Sequence, residues 1–297
     1  MYCLLDWIDI YKLDINTLAD NKNPNISIVF FDFMKNIVFE NYNWSNISYN
    51  PNLVSFIEFF PDKIIWELLS ANKNAVSLLE NNIDKIDWFM LSLNENAIEL
   101  LEKNQVKIDW SVICENDNAI LLIENNQDKI DWDMLSGNKN AIYLLEKNQD
   151  KIDWNFLSNN SSAISLLEKN QDKINWSLIS RNPSAIELLE KNQDKINWSW
   201  LSLNENAIEL LEKNQDKINW KYLSWNPNAI DLLKNNQDKI DYYYFSKNQG
   251  IIGYDYKKIK EKIDIYKEEL IQKIFHPKRL LYYLEEYNYL LGEDEFF

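Results

Sequence analysis

The sequence predicts an all-α repeat protein, a right-handed-type α-solenoid, and three observations predict it. Tryptophan recurs every 22 residues, at Trp44, Trp66, Trp88, Trp110, Trp132, Trp154, Trp176, Trp198 and Trp220, and Tyr242 continues the series. Asparagine stands six residues after each, at Asn50, Asn72, Asn94, Asn116, Asn138, Asn160, Asn182, Asn204, Asn226 and Asn248, without exception. Between the tryptophans, apolar residues fall at helical spacing rather than in alternation. A fixed period of this length marks a stack of small units, none able to bury its apolar side alone.

The repeat reads roughly W-x-x-L-S-x-N-x-N-A-I-x-L-L-E-K-N-Q-D-K-I-D/N. In the copy that starts at Trp198, Asn197 is placed to cap a short helix, "WSWLS", because its side chain can accept a first-turn backbone N–H. Asn204 or Asn206 would cap a longer helix of about ten residues, carrying Ala207, Ile208, Leu210 and Leu211 on one stripe. Pro51, Pro183 and Pro227 follow the first Asn of their copies, where a helix tolerates proline. Asn214 is placed to end the longer helix in a left-handed conformation. Each repeat is thus expected to be helix, turn and short helix.

Stacking would bring Ile196, Trp198, Leu201, Ile208, Leu210 and Leu211 against their counterparts. The tryptophan ladder is expected to be core, each ring contributing about 3–5 kcal/mol. Helices about 8–10 Å apart would make nine or ten copies a rod or arc. A leucine-rich β-horseshoe has a similar period. It fails here because the position five before the ladder Asn is Ser45, Glu67, Ser111, Asp133, Asn155 or Lys221, and the position two after it is Asn or Ser in nearly every copy.

The ends depart from the pattern as caps should. Residues 1–43 are expected to be a degenerate N-terminal capping repeat, with Ile15 in the Trp slot, then Leu18 and Asn21. Residues 44–249 hold about nine regular copies. Residues 250–297 form a helical C-terminal cap, opened by Gly250 and Gly253 and divided by Pro277.

Composition narrows the function. The net charge of -16 disfavours nucleic acid, which demands a clustered basic surface. Cys3 and Cys114 are too few for a disulfide framework, so a reducing compartment is expected. The N-terminus lacks a signal-peptide pattern, and no run approaches the length of a membrane span.

Chemistry finds little purchase. His276 is the only histidine, so neither a zinc site nor a serine–histidine pair is expected. Cys114 replaces the recurrent Ser and reads as a packed residue. Glu102, Glu124, Glu146, Glu168, Glu190 and Glu212 recur in one slot, and Asp128, Asp150, Asp172 and Asp194 in another. Paired-acid catalysis needs two carboxylates in unlike environments, and a ladder singles out no pair. These acids are expected to face Lys129, Lys151, Lys173 and Lys195 on solvated surfaces. The reading is non-enzymatic, with no cofactor and no metal.

The run "NPNAIDLLKNNQDKIDY", Asn226 to Tyr242, and its sisters resemble a 22-residue repeat family of giant DNA viruses, mimivirus-like ones especially. The resemblance covers Trp44 to Asn248, and "HPKRLLYYL" near the C-terminus is weakly similar to endings of such proteins. It implies a viral origin and a repeat scaffold acting in the host cytosol or the virion, and it carries no activity.

What varies between copies carries the information. Counting from each Trp, the first, second, fifth, seventh and eleventh positions change freely. The second is Asn46, Leu68, Met90, Val112, Met134, Phe156, Leu178, Trp200, Tyr222 and Tyr244, expected to be partly buried. Trp225, Tyr243 and Arg181 accompany its large C-terminal members. Trp, Tyr and Arg are the residues of binding hot spots, so Trp200, Tyr222, Trp225, Tyr243, Tyr244 and Arg181 are the candidate partner-binding set. The expected function is a protein–protein interaction scaffold. A modular reader of single-stranded nucleic acid or extended peptide is the alternative, and a structural spacer that self-associates is the other.

Overall fold

The computed structural model describes residues 2–29, 43–257, 259–261 and 263. The final predicted helices, with His276 and Pro277, lie outside the described residues. The chain divides into two compact bodies, one of Leu4–Ile252 and one of Met1–Cys3 with Gly253–Phe297. In the smaller body Tyr2 stacks on Tyr254, centroids 4.9 Å apart. Strand β1 (Tyr2–Leu4) pairs with strand β2 (Ile252–Tyr254), the only sheet among the described residues.

The larger body is a train of helical repeats. In one copy the short helix Trp198–Leu201 is capped by Asn197, whose side chain accepts from the Trp200 N–H. Asn204 then accepts from the Asn206 N–H and turns the chain. The second helix, Ile208–Glu212, is shorter than its sequence suggests. Asparagine shortens it from both sides: the Asn204 turn delays its start, and Asn214 hydrogen-bonds back to the Leu210 carbonyl, offering the backbone an alternative to the helix. Asn214 is not left-handed, with φ -134°. A third element, the 3-10 turn Gln215–Lys217, leads into extended Ile218 and the next cap, Asn219.

The core runs between copies. Ile196, Leu201, Ala207, Leu210 and Leu211 are buried, as are most of their counterparts, with Leu78 and Ile130 half-buried, and every ladder asparagine from Asn50 to Asn248 is buried. Each ladder asparagine donates both amide N–H bonds to the copy before it. Asn204 donates to the Ser180 carbonyl at 3.1 Å and the Asn182 carbonyl at 2.8 Å, and Asn138 to those of Cys114 and Asn116. Its oxygen holds the local turn, so one buried side chain satisfies three backbone groups. The recurrent serine is the second clamp. Ser202 Oγ donates to the Trp198 carbonyl and accepts the Asn219 N–H of the next copy.

The tryptophan ladder differs from expectation. Every ring from Trp44 to Trp220 is only half-buried, and from Trp66 to Trp220 the outer face carries the lysine that stands three residues before the next ladder aromatic. Lys85 lies 4.5 Å from the centroid of Trp66, Lys173 4.5 Å from Trp154, and Lys239 4.2 Å from Trp220. Lys129, Lys151 and Lys195 do the same over Trp110, Trp132 and Trp176. The lysine ladder therefore covers indole rather than facing the acidic ladders, and Asp128, Asp150, Asp172 and Asp194 are exposed. Trp154→Ala is accordingly expected to cost about 2 kcal/mol, below the fully buried case. Lys173→Ala should cost about 0.5–1 kcal/mol. Urea midpoints of the two variants and their double mutant measure the coupling.

The repeats do not end in an open arc. Residues 14–23 form a further copy that stacks on the last one as any copy stacks on its predecessor. Asn21 donates to the Ser246 and Asn248 carbonyls, 3.2 and 2.7 Å away. The Asp14 N–H bonds Ser246 Oγ, and Lys12 lies over the Tyr242 ring. On its other side, Asn50 donates to the Ala19 and Asn21 carbonyls. The N-terminal segment thus continues the stack in both directions rather than terminating it, and the body of Leu4–Ile252 closes into a ring. Among the described residues the ladder asparagines number eleven, from Asn21 and Asn50 round to Asn248. The seam also has contacts of its own: Trp7 against Phe245 at 5.7 Å and Lys247 paired with Asp20 at 2.7 Å. Gly250 belongs to the last copy, in its turn Gln249–Ile251, rather than opening the C-terminal cap. Its N–H bonds Asn248 Oδ1, and a Cβ would stand 2.6 Å from the Pro227 carbonyl oxygen.

Candidate functional site

Closure gives the ring an inner face, and two variable positions line it. Arg181 and Lys22 belong to copies with three others between them, yet they border one concavity of about 200 Å³ with Leu203, Glu205, Trp225 and Lys247. These are the fifth and seventh positions after each ladder aromatic. The short helices of neighbouring copies, such as Trp132–Gly137 and Trp154–Asn159, pack directly on one another along this rim. Their second positions, Leu68, Met90, Val112, Met134, Leu178, Trp200, Tyr222 and Tyr244 among them, are half-buried as expected, and Phe156 is exposed.

The six residues singled out in the sequence come together. Trp200 stacks on Tyr222 at 6.1 Å, and Tyr222 meets the edge of Tyr244 at 6.0 Å. Trp225 and Tyr243 each pack on Tyr244, at 6.2 and 5.3 Å. The Arg181 guanidinium lies 5.9 Å from the Trp200 centroid. Helical repetition causes this: one side chain per copy, at one register, must meet its neighbour in the next copy. Trp225 and Tyr243 keep 40% and 51% of their surface exposed, so packing within the ring does not use them up.

Lysine threads the cluster. Lys221 lies over Tyr244, and Lys247 over both Trp225 and Tyr243. Burial works against the Lys247 charge, but the Asp20 carboxylate and Tyr243 outweigh it and raise its pKa. Lys247 is therefore a fixed cation between two rings. Sequence reasoning missed this residue, together with Asp20, Lys22 and Tyr49, which line the same rim. Their signal was present, since all occupy the fifth or seventh position of their copies. Lys247 and Tyr49 stand five residues after Tyr242 and Trp44, whereas Asp20 and Lys22 join the register only once Ile15 is taken as the start of a full repeat.

Elsewhere the candidates stay apart. The eleventh-position residues Leu121 and Tyr143 are exposed and border none of these concavities. Cys114 is buried, and burial pushes its thiol up, away from the thiolate that reaction requires. Among the described residues no three His, Cys, Asp or Glu side chains converge as a metal site. No helix among them is long and apolar enough to cross a membrane. No protein-family profile, curated protein or solved structure matches the chain.

Proposed function

We propose that this is a non-enzymatic scaffold that binds another protein on the aromatic stretch of its inner rim. The observation that carries the reading is the joining of Trp200, Tyr222, Tyr244, Trp225, Tyr243 and Arg181 into one continuous cluster at variable positions. Positions that only stack can repeat, and the ladder asparagine does so in every copy from Asn50 to Asn248. Large aromatics held rigidly by their neighbours lose little rotamer freedom on binding, and a guanidinium over an indole adds a directional donor. The resemblance to viral repeats makes a host cytosolic or virion protein the expected partner.

The test is retention of partners from a host-cell lysate by the tagged protein and by a Trp200→Ser, Tyr222→Ser, Trp225→Ser triple variant. Circular dichroism first establishes that both are folded. The expected result is a partner held by the wild type and lost, by at least about tenfold in yield, from the variant. A partner held equally by both would move the site off this rim.

A further inference from the structure

The inner rim does not share the charge of the whole. The chain carries a net -16, yet near the seam the rim is locally cationic. With Lys247 neutralised by Asp20, the concavity beside Trp225 holds Lys22 and Arg181 against Glu205 alone. The next one round the rim holds Lys22 and Lys73 against Glu95. Between them a third, walled by Ala19, Tyr49, Pro51 and Trp225, holds Lys22 with no acid left to balance it. Lys22 borders all three. It is exposed, and among the described residues no ion pair to its ammonium is seen. Its backbone carbonyl is held by Asn52, so the side chain extends from a fixed point.

We propose that this stretch of rim binds an extended acidic peptide, with carboxylates on Lys22 and Arg181 and apolar side chains against Trp225 and Tyr49. The proposal rests on the protein-binding reading of the aromatic cluster and names the chemistry of its ligand. A cation next to an exposed aromatic wall recognises a carboxylate beside an apolar side chain, because each contact strengthens with the water that the other excludes. A peptide fits better than a nucleic acid. Phosphates come at every nucleotide and need a continuous cationic track, whereas Glu95 and Glu205 interrupt this one. In a peptide the same carboxylates can accept backbone N–H groups.

The probe is a fluorescein-labelled peptide of alternating Phe and Glu, compared by anisotropy with its Phe–Gln and Phe–Lys counterparts and with an oligothymidylate. At low salt the Phe–Glu peptide is expected to bind about tenfold more tightly than the Phe–Gln peptide, and the Phe–Lys peptide not at all. Lys22→Glu should bring the Phe–Glu peptide down to the Phe–Gln level. Trp225→Ser should weaken both by about the same factor, roughly five- to tenfold. Lys103→Glu, an exposed lysine bordering none of these concavities, should change little, and melting curves establish that each variant is folded. Equal binding of the Glu and Gln peptides, or indifference to Lys22→Glu, would overturn the acidic preference. A shared loss on Trp225→Ser would still leave the binding face standing. Tighter binding of the oligothymidylate would overturn both readings, and binding of no peptide would overturn this one and leave the lysate test to decide the other.

Discussion

Asn21→Ala is expected to destabilise the ring by about 2–4 kcal/mol, as much as Asn138→Ala in its middle. Both asparagines are fully buried, and both donate to two carbonyls of the preceding copy. Truncation leaves those carbonyls buried and unpaired, and it also releases the local turn, the Asn23 N–H in one case and the Asn140 N–H in the other. In an open arc Asn21 would face water, and losing its amide would cost only about 0.5–1 kcal/mol of turn stability. Urea midpoints of the two variants therefore test closure directly. A shift for Asn21→Ala less than a quarter of that for Asn138→Ala would show that the seam is not formed in solution.

The second large effect lies a few residues away. Phe245 is fully buried where the preceding copies place Leu201 and Leu223, and it fills its extra volume against Trp7 and Tyr242. Phe245→Ala is expected to cost about 3–5 kcal/mol through lost burial and the cavity left behind. Phe245→Leu restores the side chain of the other copies and should cost about 1–1.5 kcal/mol. Thermal unfolding of the pair separates the general need for an apolar plug from the specific fit to Trp7. Equal costs would mean that the Trp7 contact contributes nothing. Phe245 and Asn21 serve one interface, so the double variant should fall short of the sum.

Much of this was legible in the letters. The period, the helical character, the Asn197-type caps and the convergence of Trp200, Tyr222 and Tyr244 all follow from spacing, because a repeated register places equivalent side chains side by side. Partner choice was not. Nothing in "WSWLS" says that its serine accepts an N–H from the next copy, or that a lysine will lie over its tryptophan. Those pairings depend on the offset between copies, and so does the half-burial of the indoles. Closure was hidden more deeply. The signs in residues 12–21, a lysine, an aspartate cap, Leu18 and Asn21, are ordinary repeat signs, but Ile15 stands in the Trp slot and the spacing to Trp44 exceeds 22. Whether eleven copies come full circle depends on a small rotation summed over every joint, which no single copy spells out.

The seam also changes how the molecule can come apart. A linear stack frays from its ends, breaking one interface for each repeat released. A ring has no end copy, so two interfaces must break before the first repeat is free. Unravelling then acquires an initiation step, and slow unfolding can outlast modest equilibrium stability. The same geometry has an entropic cost, since Asn21 and Asn248 are 227 residues apart and joining them costs on the order of 5 kcal/mol in chain freedom. Trp7, Phe245 and the Lys247–Asp20 pair, added to the bonds common to every joint, stand where that cost must be met.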